Sequence, residues 1–262
     1  MAQVSPEHTS LICSLMATPL AMGAVSEAGT EQVARAPESP PCRDLVHEIE
    51  VRNEWASLLD TEPLEIVAQQ MDDHEIWLAE HCFSPRECEA LIAAAESHGF
   101  GATNYPKNYR GNLRLTSIDE SLAEAVWQRL RHLVPPVLHF DQGGDDTWEA
   151  YGLNECWRLA KYHPGDVFRG HCDANYQKNN DEQSMYTVNI YMNEGFEGGR
   201  TNFFFNRQWR GEREADTSVV PKAGLCLLFR QPPGKSYYHN GERLGTGLKY
   251  LFRSDVMYRR RQ

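Results

Sequence analysis

Apolar residues recur first at helical and then at strand spacing along the chain. In "HEIWLAEHCFSPRECEALIAAAESHGF", Ser84, Pro85 and Glu87 form a helix start: a hydroxyl cap, proline at the first helical position, and a glutamate three residues after the cap. Gly99 stops that helix. A second helix is predicted in "SIDESLAEAVWQRLRHLV", where Leu122, Val126, Leu130 and Leu133 fall on one face and Pro135 and Pro136 end it. Beyond about residue 150 the pattern changes to short runs separated by turn residues: "CWRLAKYH", "YTVNIYMN", "RTNFFFN", "GLCLLFR" and "LKYLFRSDVMY". The pattern predicts a mainly β fold with a helical layer (α+β): a helical lead-in to about residue 148, then a sandwich or barrel. No repeat of solenoid or propeller period is present. The domain is placed at 66–262. The segment 1–65, which includes the Ala-, Glu-, Pro- and Ser-rich "SEAGTEQVARAPESPPCRD", reads as a disordered leader.

Charge and cysteine content narrow the function classes. A net charge of −11 over 262 residues disfavours a non-specific grip on nucleic acid or anionic membrane, because such binding depends on Lys and Arg neutralising phosphates. The dense basic run is the terminal "RRRQ". Seven cysteines, an odd number with no CxxC pair, read as reduced thiols of a cytoplasmic protein rather than a disulfide framework or zinc site. The mildly apolar "SLICSLMATPLAMGAV" has no preceding Lys or Arg and is interrupted by Ser, Thr and Pro, so it reads as neither signal peptide nor membrane span.

The chemistry concentrates in "YHPGDVFRGHCDANY". On a strand, residues two apart share a face, so His171 and Asp173 converge on one point while Cys172 faces away. An imidazole and a carboxylate on one face are two thirds of the open-sided 2-His-1-carboxylate triad that suits non-haem Fe(II). A second histidine, His239, follows 68 residues later. Lys249 and Arg253 then lie four residues apart, on one face of one strand with Leu251 between them, where a cation could hold a carboxylate at the closed end of a pocket.

With these residues in place the sequence resembles the Fe(II)- and 2-oxoglutarate-dependent dioxygenases of the prolyl 4-hydroxylase type, over roughly residues 75 to 260. The resemblance runs through "YHPGDVFRGHCD", "VNIYMNEGFEGGRTNFF", "PKAGLCLLF" and "HNGERLGTGLKYLFRSDVMYR". It implies a double-stranded β-helix, or jelly roll, and makes His171, Asp173 and His239 both metal ligands and catalytic residues. It makes Lys249 the partner of the 2-oxoglutarate C5 carboxylate, with Tyr162 and Tyr191 as hydrogen-bonding neighbours and Arg253 as rival anchor. Implied cofactors are Fe(II), 2-oxoglutarate as cosubstrate, and O2, with ascorbate as an auxiliary reductant. The implied reaction is hydroxylation of a prolyl residue or prolyl-like substrate, peptide, protein or small molecule, with succinate and CO2 as co-products. The Asp173 carboxylate argues for hydroxylation, since the related halogenating enzymes lack it. Gly198 and Gly199 read as a turn, and Asn189, where the family often has an apolar residue, as a position facing the pocket. The polar "ANYQKNNDEQSM" is well placed for a mobile lid or is a plain surface loop. Three other readings stay open at this point: a nucleic-acid-demethylating oxygenase, whose Arg-x5-Arg ending Arg253 and Arg259 satisfy; a non-catalytic jelly-roll binding module; and a zinc hydrolase.

Overall fold

The computed structural model describes residues 49–71, 73–140, 146–205 and 214–261. The strands and helices that place the site are β1 (Ile49–Arg52), β2 (Ile76–Glu80), α1 (Pro85–His98), β3 (Leu113–Ile118), α2 (Glu120–Leu130), β4 (Thr147–Leu153), β5 (Cys156–Tyr162), β6 (Phe168–His171), β7 (Glu182–Tyr191), β8 (Thr201–Phe204), β9 (Thr217–Val219), β10 (Cys226–Arg230), β11 (Tyr238–Gly241) and β12 (Lys249–Arg260). A large sheet runs β1-β3-β5-β12-β7-β10-β2 and ends on Val67–Gln70, with β4 also paired to β12. A four-stranded sheet runs β9-β8-β11-β6. The two pack as a jelly roll, with Tyr191, Leu227 and Phe229 of the large sheet sharing a buried cluster with Phe203 and Val219 of the small one.

Period-2 alternation gives the large sheet two unlike faces. Trp157 and Leu159 of β5, Val188 and Ile190 of β7, and Phe252 of β12 are buried in one cluster with Cys88, Leu91 and Ala95 of α1 and Leu122, Val126 and Leu130 of α2. Each large apolar side chain fully buried there contributes about 1.5–3 kcal/mol. The intervening residues Arg158, Ala160, Tyr162, Asn189, Leu251 and Arg253 line a narrow cavity instead.

Helix α1 starts as the sequence predicts. The Ser84 side chain accepts from the Glu87 backbone N–H and the Glu87 carboxylate accepts from the Ser84 backbone N–H, with Gly99 closing the helix. Glu87 then receives both Nη atoms of Arg129, at 2.9 and 2.6 Å, which ties α1 to α2. Burial raises the Glu87 carboxyl, but hydrogen bonds from Arg129 and from the Ser84 and Asp60 backbone N–H groups together hold it below its usual range. Helix α2 is shorter than its apolar spacing suggests: it ends at Leu130, and Arg131–Leu133 tightens into a 3-10 turn in which Leu133 is not buried.

Three expectations need correction. The leader boundary at residue 65 is too late, because β1 pairs in parallel with β3 and the buried Trp55 donates its backbone N–H to the Asp119 carboxylate at 2.7 Å. Residues 1–48 lie outside the described residues. The lead-in is also not purely helical, since β2 and β3 belong to the large sheet and are held by pairing partners distant in sequence. Finally, the segment 174–185 is not a free loop. Gln177–Asn179 pairs with the start of β7, and Tyr176 N–H donates to Ser184 Oγ at 2.7 Å, so the segment is a hairpin. Among the described residues, Cys82, Cys88, Cys156, Cys172 and Cys226 are not joined in disulfides. No described helix is long and apolar enough to cross a membrane.

Candidate active site

Strands β6 and β11 pair antiparallel with His171 directly opposite His239. Directly opposed residues project their side chains to the same face, which brings the two rings to a centroid separation of 4.3 Å. Asp173, just past the end of β6, completes the group, and one ligand atom from each of the three residues lies within 4.8 Å of the others. Cys172 is not part of this convergence, as alternation requires.

The hydrogen bonds fix which nitrogen of each ring is free. His171 Nδ1 lies 2.8 Å from the Arg169 carbonyl and His239 Nδ1 lies 2.9 Å from the Tyr237 carbonyl. A carbonyl only accepts, so each Nδ1 carries a proton, which leaves Nε2 of each ring as the atom that can ligate at the shared point. The Nε2 of His171 is buried with no hydrogen-bond partner. Burial pushes the His239 imidazole down to about 4 against the opposing pull of Asp173, so it is neutral near pH 7. Asp173 accepts from Thr187 Oγ1 at 2.8 Å and from Arg253 Nη1 at 3.0 Å. Burial opposes its ionisation, yet the Arg253 charge beside it holds its carboxyl well below the usual range. Two imidazoles tied through Nδ1 and one ionised carboxylate, each oriented by a second partner, form a donor set that fits a divalent non-haem metal.

The support behind Asp173 was not visible in the sequence. Gln231, fully buried, donates to Thr187 Oγ1 and to Asp255 Oδ1, both at 2.7 Å, and accepts from Ser184 Oγ at 2.7 Å. Asp255 lies between two arginines, accepting from Arg158 Nη1 at 2.9 Å and from Arg253 Nη2 at 3.4 Å. Arg158 and Arg253 are directly opposed across β5 and β12, and their like charges are tolerated through this shared carboxylate.

The structure separates the two candidate anchors. Arg253 is occupied by Asp173 and Asp255. Lys249 is 4% exposed and pairs with no carboxylate among the described residues. Its Nζ lies 5.3 Å from the ring centres of both Tyr162 and Tyr191 and donates to the Gly199 carbonyl at 2.5 Å. Burial brings this amine down to about 8. Tyr191 Oη shares a 2.6 Å hydrogen bond with Thr201 Oγ1. Gly199 does more than turn the chain: at φ +68°, it would place a Cβ 3.2 Å from Lys249 Cδ, so glycine there leaves room for the lysine stem. Asn189 lines the cavity, as its polarity suggested. Arg259 is not near Arg253's position. The pairing of β12 shifts register between them, and Arg259 sits over the Tyr151 ring at 5.5 Å in a separate surface groove.

Residues 157–252 match the model of the 2OG-Fe(II) oxygenase superfamily, a span that contains His171, Asp173, His239 and Lys249. The chain carries a 2OG-Fe(II) oxygenase domain. Among curated proteins none matches the chain in sequence. Solved structures of similar fold include a viral collagen prolyl hydroxylase from Paramecium Bursaria Chlorella virus-1, at 18% identity over 72% of this chain and 98% of that one with a TM-score of 0.47. A prolyl-4-hydroxylase from Pseudomonas putida shows 21% identity over 72% and 95%, with a TM-score of 0.47. A Trichoplax adhaerens prolyl hydroxylase, solved with a hypoxia inducible factor peptide fragment, shows 14% identity over 71% and 85%, with a TM-score of 0.46. The oxygenase assignment rests on the family match and on the triad within it.

Proposed function

We propose that this 2OG-Fe(II) oxygenase hydroxylates a prolyl residue or prolyl-like substrate. The observation that carries the catalytic part is the triad, with both Nδ1 atoms tied to carbonyls and a buried lysine in the same cavity. His171 and His239 through Nε2 and Asp173 through its carboxylate would hold Fe(II). Lys249 would hold the C5 carboxylate of 2-oxoglutarate, in a pocket end walled by Tyr162, Tyr191 and Thr201. When bound, that metal and cosubstrate supply oxidative decarboxylation with O2, leaving succinate, CO2 and a hydroxyl on the substrate carbon.

The chain's own contribution is orientation and charge. The Arg169 and Tyr237 carbonyls keep the imidazoles in the ligating tautomer, and Thr187 and Arg253 hold the carboxylate in place. The aromatic walls around Lys249 exclude water, which strengthens the grip of its charge on a carboxylate. The likeness of "YHPGDVFRGHCD" and "HNGERLGTGLKYLFRSDVMYR" to the prolyl 4-hydroxylase pattern supports proline as acceptor. The net charge of −11 and the separation of Arg259 from Arg253 disfavour a nucleic-acid substrate. Mass spectrometry of proline-containing peptides incubated with protein, Fe(II), 2-oxoglutarate and O2 tests the reading. The expected result is gain of one oxygen atom on proline. Loss of methyl groups from alkylated oligonucleotides without peptide oxidation would overturn it.

A further inference from the structure

The cavity holds more positive charge than the cosubstrate needs. Its lining includes Arg110, Arg114, Arg158, Lys249 and Arg253 against the single carboxylate of Asp173. Asp173 and Asp255 occupy Arg253, Asp255 also occupies Arg158, and Lys249 is assigned to 2-oxoglutarate. Arg110 is different. Its Nε donates to Asn112 Oδ1 at 3.1 Å, but neither Nη is hydrogen-bonded and no carboxylate pairs with it among the described residues. Its charged neighbours are Arg114 and Arg253, and burial together with Arg114 brings its guanidinium down to about 10.

Arg110 is nevertheless held firmly. Its backbone bridges to Phe168 on the edge of β6, with Gly111 N–H donating to the Val167 carbonyl at 3.0 Å and Arg169 N–H to the Tyr109 carbonyl at 2.9 Å. Its guanidinium carbon lies 4.4 Å from the Phe168 ring centre, and that ring stacks on His171 at 3.8 Å. One aromatic layer therefore separates an unpaired guanidinium from a metal ligand. A rigid cation with its fork free and like charges around it is poised for an anion, and the planar fork matches a carboxylate.

We propose, resting on the oxygenase reading above, that the prolyl-type substrate carries a carboxylate close to the carbon to be hydroxylated, and that Arg110 binds it. A phosphate backbone is the poorer occupant. It calls for a continuous basic surface, and the basic run Arg259–Arg261 lies in a separate groove beside Glu149, Asp181 and Glu182. The carboxylate belongs either to the substrate proline itself or to an acidic residue beside it in a peptide.

Isothermal titration of the Mn(II)- and 2-oxoglutarate-loaded protein without oxygen separates these cases. The probes are N-acetyl-L-proline against N-acetyl-L-prolinamide, and end-capped peptides with Asp against Asn next to proline. The acidic member of at least one pair is expected to bind roughly tenfold or more tightly, the usual scale for a charge-assisted bond. The ratio should collapse toward one in Arg110→Gln and survive in part in Arg110→Lys. A preference in the first pair places the carboxylate on the proline, and one in the second places it on the neighbour. Equal binding within both pairs, no binding by any of the four, or tighter binding of a short oligonucleotide overturns the proposal. So does an Arg110→Gln variant that loses 2-oxoglutarate affinity as steeply as the ratio, which would make Arg110 a cosubstrate residue. Failure of the wild-type protein to bind 2-oxoglutarate with Mn(II) would instead bring down the oxygenase reading itself.

Discussion

Replacing Lys249 by alanine removes a buried cation of the cavity that pairs with no carboxylate among the described residues and donates to the Gly199 carbonyl. A hydrogen bond to a charged group is worth about 1.5–3 kcal/mol, which is roughly a 10- to 150-fold change in Kd. The structure argues for the upper part of that range. Nζ is sealed between the Tyr162 and Tyr191 rings, the residue is 4% exposed, and screening by solvent is correspondingly weak. The same burial makes the effect depend on pH. The amine titrates at about 8 in the folded protein against 10.5 when exposed, so between those values the folded state binds fewer protons than the unfolded one. Ligand-free protein therefore gains stability as pH rises through that window. Affinity for 2-oxoglutarate moves the other way: flat below about pH 8, then weakening by roughly tenfold per unit as each binding event must also bring in a proton. Anaerobic calorimetry with Mn(II), run at several pH values and in buffers of different ionisation heat, reads both the affinity and the proton uptake. A Lys249→Ala variant that binds 2-oxoglutarate as wild type does, or an Arg253→Ala variant that loses more affinity than Lys249→Ala, would refute the assignment.

Other perturbations follow from single contacts. Arg253→Ala leaves Asp173 with Thr187 but without its cation, and should weaken Mn(II) binding by roughly 10- to 100-fold while costing less in 2-oxoglutarate affinity, both read by titration. Gly199→Ala forces a left-handed residue to carry a Cβ against the Lys249 stem, so unfolding should show a loss of about 1–2 kcal/mol and titration a weaker cosubstrate. Asp119→Ala removes both the α2 cap to Leu122 N–H and the acceptor for Trp55 N–H, and urea unfolding should report about 2–4 kcal/mol lost. A loss well under 1 kcal/mol there would mean that the segment around Trp55 contributes little to the domain.

What the sequence revealed and what it hid divide along the range of the interaction. Ser84, Pro85 and Glu87 announce α1 because a capping box closes within one turn. His171 and Asp173 could be paired because a strand's period is two. The parallel pairing of β1 with β3 was hidden, since "IEVR" is four residues long and becomes a strand only against a partner more than sixty residues away. The role of Arg253 was hidden for the same reason. Alternation puts it on the face of Lys249, but only the register of β12 against β5 and β7 shows that it meets Asp173 and Asp255 while Lys249 meets tyrosines. Thr187 and Gln231 reach the site through tertiary contacts alone, although the alternation of Thr187, Asn189 and Tyr191 along β7 was a signal that they share a face. Arg110 carried no local signal, because its place beside the metal strand depends on a bridge to Phe168.

The most direct test of the account is conversion of 2-oxoglutarate to succinate by the purified protein, with each component withheld in turn. Turnover should require both Fe(II) and O2, and should vanish in His171→Ala and His239→Ala while circular dichroism shows the β fold retained, since the two sheets and their apolar clusters hold the scaffold without the triad. Undiminished succinate formation in either variant, or formation without Fe(II), would contradict it.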